Sequence, residues 1–338
     1  MGDKTTRVKT DEAPADEAVT NKVPANKGTT NTAPISTTQT DDFKSGFVTL
    51  IGRPNAGKST LLNAVVKKKL AITSDKPQTT RHRFRAVLDT PGYQLILVDT
   101  PGIHKPHDLL GEELNRSATD AIKTVDALCF VLDATQPFGR GDEWILELLQ
   151  ASSVPKILII SKTALADERA IEAQRVAACA ENHFDEVISL SALEGIGTDR
   201  FIEAAVSFLP QGPRWFPSDM DSDQSLEFII AEFIREKVLC STFDEIPHAV
   251  GVQVENLTFE KRRGLYRIAA IIFVERDSQK GILIGRHGDK IKHIGTRARE
   301  ELTHFLGADV YLDLRVKVRK AWRRDLNQVR LLGYGTVE

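Results

Sequence analysis

Almost everything that marks a secreted or membrane-spanning protein is scarce in this sequence. Its three cysteines, Cys129, Cys179 and Cys240, are odd in number, far apart and nowhere spaced as Cys-x-x-Cys. That excludes a disulfide framework and a zinc knuckle, and fits a reducing compartment. The eight histidines show no ligand spacing, and no apolar run approaches the roughly 18 residues needed to cross a bilayer. Net charge is lacking too: 45 Lys and Arg against 47 Asp and Glu leave a formal −2. An evenly basic nucleic-acid binder is thereby excluded, whereas a local basic patch is not. Large apolar residues are nearly absent before position 45, so residues 1–44 cannot bury enough surface to offset ordering and are expected to form a disordered tail. A targeting peptide is disfavoured there by the acids Asp3, Asp11, Glu12, Asp16 and Glu17 and by the lack of an apolar centre.

What is present divides in two. From Ser45, the short apolar runs FVTLIG, YQLILVD, ALCFVLDA, KILIIS and EVISLSA alternate with helical apolar spacing in DEWILELLQA and DERAIEAQRVAACAENHF. Runs of that length suit strands buried on both faces, and the alternation predicts an α/β domain with a doubly wound, mostly parallel sheet over residues 45–210. PQGPRWFPSDMDSDQS, rich in Pro and acids, reads as a linker over 211–225. The order then changes to helix, two strands, a helical stretch from Lys280 to Leu306 and a last strand, predicting a separate α+β domain over 226–338.

GRPNAGKST, Gly52 to Thr60, lies between the first apolar run and an amphipathic helix, the context of a P-loop. Its glycines let the backbone N–H groups turn inward, Lys58 offers a charge to the phosphates, and the Ser59 hydroxyl can ligate magnesium. Gly52, Arg53, Pro54, Asn55, Ala56, Gly57 and Thr60 complete the expected nucleotide loop. Such a site also needs a carboxylate at the end of a neighbouring buried strand. Asp-Thr-Pro-Gly occurs twice, at Asp89–Gly92 and Asp99–Gly102. Asp99 ends an unbroken apolar run, whereas Asp89 is separated from that run by only a few residues and reads as a hairpin turn. Asp99, Thr100, Pro101 and Gly102 are therefore the expected metal switch.

GRPNAGKST, KPQTTRHRFR, the second DTPG and the later SAL, followed by an RNA-binding module, resemble the Era family of bacterial GTPases over Ser45 to about Tyr334. The resemblance implies GTP and GDP as ligands with Mg²⁺ held by Ser59, Thr80 and Asp99, Thr80 ahead of Thr79 as the switch threonine. It implies catalysis by Lys58, Thr80, Asp99 and the Gly102 amide, and a K⁺ ion at Asn55. Ile103 stands where many GTPases orient water with glutamine, so slow intrinsic hydrolysis is expected. Ser161 and Lys162, with Ser191, Ala192 and Leu193, align with the base-contacting loops. The pattern breaks at Ala164, where relatives carry the Asp that accepts two hydrogen bonds from guanine. Asp167 could substitute, but capping of the following helix is the better account of it. Loss or relaxation of guanine selectivity in an RNA-binding assembly protein is accordingly the alternative reading.

In the second half, GRHG at Gly285–Gly288 precedes an amphipathic helix and resembles the glycine loop of KH modules, which clamp single-stranded RNA. Arg286, His287, Lys290 and Lys292 would face phosphates. In DVYLDLRVKVR, alternation places Arg315, Lys317 and Arg319 on one strand face, a local patch in a region with 20 Lys and Arg against 16 Asp and Glu. The resemblance names the ligand as the 3′ end of small-subunit ribosomal RNA and the partner as the small ribosomal subunit. A cytoplasmic monomer is expected, with peripheral attachment to the inner face of the cell membrane left open.

Overall fold

The computed structural model describes residues 42–76, 79–103, 109–180, 182–243 and 246–334. The tail expected at 1–44 lies, as far as residue 41, outside them. In chain order the first half runs β1 (Lys44–Ile51), α1 (Lys58–Val66), β2 (Phe84–Asp89), β3 (Tyr93–Asp99), α2 (Leu109–Ile122), β4 (Ala127–Asp133), α3 (Arg140–Gln150), β5 (Lys156–Ser161), α4 (Glu168–Cys179), β6 (Glu186–Ser189) and α5 (Thr198–Ser207). The six strands form one sheet in the order β2-β3-β1-β4-β5-β6, with every pairing parallel except β2–β3. Val48, Leu95, Leu97, Cys129 and Ile159 face α1 and α5, while Ile51, Phe130, Leu132, Leu158 and Ile160 face α2, α3 and α4. Burial on both faces is why these strands are continuous apolar runs. It also leaves one edge, the carboxyl ends of β1, β3, β4 and β5, for polar loops.

The doubled tetrapeptide separates as the strand spacing implies. Asp89 pairs with Gln94 across a tight β2–β3 hairpin, whose turn is closed by Thr90 N–H donating to the Tyr93 carbonyl at 2.9 Å. Asp99 ends β3 in the middle of the sheet.

The 211–225 segment differs from a free linker. It is strapped along the outer edge of the sheet, with Val87 N–H donating to the Asp221 carbonyl and Asp223 N–H to the Arg85 carbonyl. Fully buried Gln94 holds the strap: its Oε1 accepts from the amides of Trp215 and Phe216, and its Nε2 donates to Asp89 Oδ1 and the Phe216 carbonyl. Arg214 closes the arrangement on Asp89 at 2.9 Å. Backbone groups that find partners on a sheet edge remove the freedom that Pro and acidic residues suggest in isolation. Gln94→Leu keeps the side-chain volume but strands two buried amides and a carbonyl. It should cost about 2–3 kcal/mol, read as a lower urea midpoint, and open 211–225 to limited proteolysis.

The second half comprises α6 (Leu226–Cys240), α7 (Ile246–Ala249), β7 (Gly251–Glu260), β8 (Leu265–Val274), α8 (Asp277–Ile284), α9 (Asp289–Leu306), β9 (Asp309–Val318) and α10 (Leu326–Leu331). Its sheet runs β7-β8-β9, antiparallel then parallel. Ile268, Ala270, Ile272 and Val274 pack one face against α6 and α9. The other face is covered from both directions: Ile271 and Phe273 meet Leu110 and Leu114 of α2, together with Trp322, Val329, Leu332 and Tyr334. The helical stretch starts at Asp277, three residues before the sequence expectation, because Gln279 Oε1 accepts from the Glu275 and Arg276 amides and caps its start.

Candidate functional site

The loop after β1 builds an anion cradle from backbone. Gly57 takes φ +99°, a left-handed conformation suited to glycine, and stands at the N-terminus of α1 with no side chain capping the first turn. Those amides and the helix dipole face the cleft. Lys58 is 5% exposed, its Nζ donating to the carbonyls of Gly52 at 3.0 Å and Arg53 at 2.8 Å. Burial lowers its pKa to about 8, against the pull of Asp99. The Arg53 side chain points elsewhere, to Asp142 of α3 at 2.8 Å, so Arg53 brings only its backbone to the cradle. Pro54 packs against the Asp99–Gly102 segment, where a Cβ on Gly102 would lie 2.5 Å from the Pro54 nitrogen. Ile103 N–H reaches the Gly52 carbonyl at 3.3 Å. Thr100 donates to the Leu50 carbonyl at 2.7 Å, and Pro101 is buried beside it.

Three oxygen-bearing side chains converge next to this loop. Ser59 Oγ lies 2.8 Å from Asp99 Oδ2 and 2.9 Å from Thr80 Oγ1, and Thr80 Oγ1 lies 3.4 Å from the same carboxylate oxygen. Asp99 is fully buried, and its Oδ1 has no hydrogen-bond partner. Burial raises its pKa to about 6, opposed by Lys58 and by hydrogen bonds from Ser59, Thr80 and the Thr100 amide. Hard oxygens around an orphaned carboxylate oxygen fit a small divalent cation, and a cation with polyphosphate would restore the charged forms of both Asp99 and Lys58. Thr79 does different work: its hydroxyl bonds Ser74 and the Lys76 carbonyl and shapes the loop. Asn55, at φ +63°, donates Nδ2 to the Asp75 carbonyl, leaving Oδ1 without a hydrogen bond from any described residue.

Arg53, Pro54, Asn55, Gly57, Lys58, Ser59, Thr60, Thr80 and Gly102 share a cleft of about 470 Å³ with Asp133, Thr135, Gln136 and Lys162. Asp133, Thr135, Gln136 and Lys162 form its far end. Ser161 Oγ ties β5 to the cradle through the carbonyls of Ala56 at 2.5 Å and Leu132 at 2.8 Å. Lys162 is held by Asp133 at 2.6 Å. Although burial opposes it, hydrogen bonds from Lys162 and Thr135 keep the Asp133 carboxyl below its ordinary range. Ala164 is exposed in the single turn Thr163–Leu165, and Asp167 caps α4 by accepting from the Ala170 amide at 2.7 Å. Ser191 is buried and paired with Ile196, while Leu193 is 84% exposed.

The segment of Thr79 and Thr80 continues directly into the second domain. Arg81, 1% exposed, donates to the carbonyls of Val250 at 2.6 Å, Pro247 at 2.8 Å and His248 at 3.0 Å, below the rings of Trp322 and Tyr334. Arg235 of α6 donates to the Thr79 carbonyl, and Glu236 accepts from the Thr73 amide at 2.9 Å and from Lys69 at 2.6 Å. Local sequence could not reveal these residues, since an arginine beside two threonines carries no sign of a partner about 170 positions away. Helix α2 did carry a signal, Leu110, Leu114 and Ala118 at intervals of four.

The Gly285–Gly288 loop joins α8 to α9, with Gly285 at φ +74° close against Lys290. Arg286, His287 and Lys292 are exposed and Lys290 is half-buried under the loop. The cations of the β9 stripe have partners within the chain. Arg315 pairs with Asp313 at 2.9 Å and Lys317 with Glu255 at 3.4 Å. Arg319 lies over the Phe273 ring, 3.8 Å from its centroid. The three lie on one face as alternation implies; an acid two residues away on β9, an acid on β7 and an aromatic ring engage them, and the Arg315 and Lys317 side chains stay more than half exposed.

Comparison with known proteins agrees with this geometry. A family model described as a 50S ribosome-binding GTPase matches residues 47–162, and one described as a KH domain matches residues 245–323. GTPase Era of Staphylococcus haemolyticus is 44% identical over 293 residues, 87% of this chain and 98% of that protein. Two solved structures each superpose with a TM-score of 0.83 at 35% identity, covering 87% of this chain and all of theirs. One is an Era in complex with MgGDPNP and nucleotides 1506–1542 of 16S ribosomal RNA, the other a variant Era of Aquifex aeolicus bound to GDP·AlF₄⁻. Among the described residues no helix is long and apolar enough to cross a membrane.

Proposed function

This chain belongs to the Era family of GTPases, and we propose that it is a switch in which GTP binding and hydrolysis at the P-loop govern RNA binding by the KH domain. Its ligand is the 3′ end of small-subunit ribosomal RNA, and its task is assembly of the small ribosomal subunit. Relatives that match 87% of the chain, across both domains, support this reading ahead of the large-subunit wording of a model that covers the nucleotide domain alone. A cytoplasmic monomer belongs to the same proposal.

One juxtaposition supports the switch above all: Thr80 and Arg81 are consecutive, yet Thr80 sits in the Ser59–Asp99 oxygen cluster while Arg81 is buried against the KH domain. A shift of one is felt by the other across a single peptide. Ser59, Thr80 and Asp99 would hold Mg²⁺, which supplies charge neutralisation at the β and γ phosphates. Lys58 turns from its carbonyl partners to the same phosphates, and the amides of the cradle and of Gly102 orient them. Asn55 Oδ1 is the atom that would hold K⁺. Ile103, which follows Gly102 and is buried beside the cradle, has no polar group to position water, in keeping with slow unassisted turnover.

RNA affinity measured with GTP and with GDP tests the switch, since equal affinities would sink it. Within that assay, replacing both Arg286 and His287 by Asp should lower RNA affinity about tenfold or more and leave nucleotide affinity unchanged.

A further inference from the structure

The base end of the cleft carries a second specificity statement, which rests on the cleft being the nucleoside triphosphate site. Guanine presents two donors on one edge, N1–H and the 2-amino group, and an acceptor, the 6-oxo group, beside them. A buried carboxylate reads the donor pair. Here that position is exposed Ala164, and the neighbouring carboxylates are engaged. Asp133 binds Lys162 at 2.6 Å through Oδ2 and both the amide and hydroxyl of Thr135 through Oδ1. Asp167 is spent capping α4. Different groups are left for the 6-position. Thr163 N–H donates to the Leu190 carbonyl at 3.3 Å, so the 161–166 and 190–196 loops lie side by side, and the amides of Ala192 and Leu193 donate to no described residue. An N–H donates to a 6-oxo group and opposes a 6-amino one, and it is indifferent to position 2.

We propose that this protein selects 6-oxopurine nucleotides as a class, distinguishing them from adenine nucleotides but not reading the 2-position of the ring. GTP, ITP and XTP are then equivalent ligands. Ala164 is the residue that sets this, because a carboxylate there would favour the 2-amino group of guanine and repel the 2-oxo group of xanthine. Glu194, exposed in the turn closed by Ser191 and Ile196, is the remaining carboxylate of the two loops.

Displacement of a fluorescent GDP analogue from the full chain by GTP, ITP, XTP and ATP, with Mg²⁺ present, tests the proposal. Wild type should bind GTP, ITP and XTP within about fivefold of one another and ATP at least about tenfold more weakly. Ala164→Asp, placed on an exposed turn, should raise the preference for GTP over XTP by about 10²-fold. A wild-type preference for GTP over both ITP and XTP of that size would overturn the inference, and its disappearance in Glu194→Gln would identify Glu194 as the reader in its place. ATP bound as tightly as GTP would overturn it differently, by showing that the loop amides do not read position 6. Displacement by none of the four would overturn the nucleotide-site reading together with this one.

Discussion

Asp99→Asn is expected to reduce Mg²⁺-dependent GTP turnover by about 10²–10³-fold, measured as single-turnover hydrolysis across a Mg²⁺ titration. The substitution keeps the shape of the side chain and its oxygen next to Ser59 and Thr80, but removes the charge that a divalent ion requires. It should also relieve rather than strain the apo protein, because burial already disfavours the ionised carboxylate. Lost activity with unchanged or higher stability is therefore the expected signature. Asp89→Asn, in the other Asp-Thr-Pro-Gly, should leave turnover within about twofold. Its cost falls on the strap, where Asp89 meets Arg214 and Gln94. Equal effects on turnover at the two positions would overturn the assignment.

Arg81→Ala should destabilise the protein by about 3 kcal/mol, seen as a lower urea midpoint, by removing charge-assisted hydrogen bonds and leaving three carbonyls with a cavity between them. Burial, with Arg235 adding to it, lowers Arg81 to about 10, so the group stays charged at neutral pH and its removal is the loss of a cation. Arg81→Lys separates charge from geometry. One ammonium cannot reach the Val250, Pro247 and His248 carbonyls as a planar fork does, so it should recover less than half of the loss. Both variants should also narrow the difference in RNA affinity between the GTP and GDP forms. A variant with full stability and an intact difference would show that the clamp carries neither load.

The legible parts of the site were those made by neighbours in sequence. Gly52 to Thr60 reads as a phosphate loop because the cradle is one turn of backbone, and Asp99 was separable from Asp89 because a strand buried on both faces differs in pattern from a hairpin. The capping role of Asp167 was legible for the same reason, lying three residues from the amide that donates to it. Elsewhere, partners that composition and alternation do not reveal decided the packing. Residues 211–225 have the composition of a linker, yet Gln94 binds them to the sheet edge. Arg315, Lys317 and Arg319 alternate as a basic stripe, yet Asp313, Glu255 and Phe273 engage them.

The sequence by itself determined two domains, the phosphate chemistry of the first, the glycine loop of the second and the missing carboxylate at position 164. Each rests on periodicity, spacing or residue type within about twenty positions, the range over which backbone geometry dictates which groups meet. Only the tertiary structure decided how the domains communicate. The burial of Arg81 beneath Trp322 and Tyr334, the hold of Arg235 on the Thr79 carbonyl and the docking of α2 on the second sheet join residues more than 150 positions apart. Such contacts form because a sheet face and a buried guanidinium must both be satisfied somewhere, a requirement that fixes the existence of a partner but not its place in the chain.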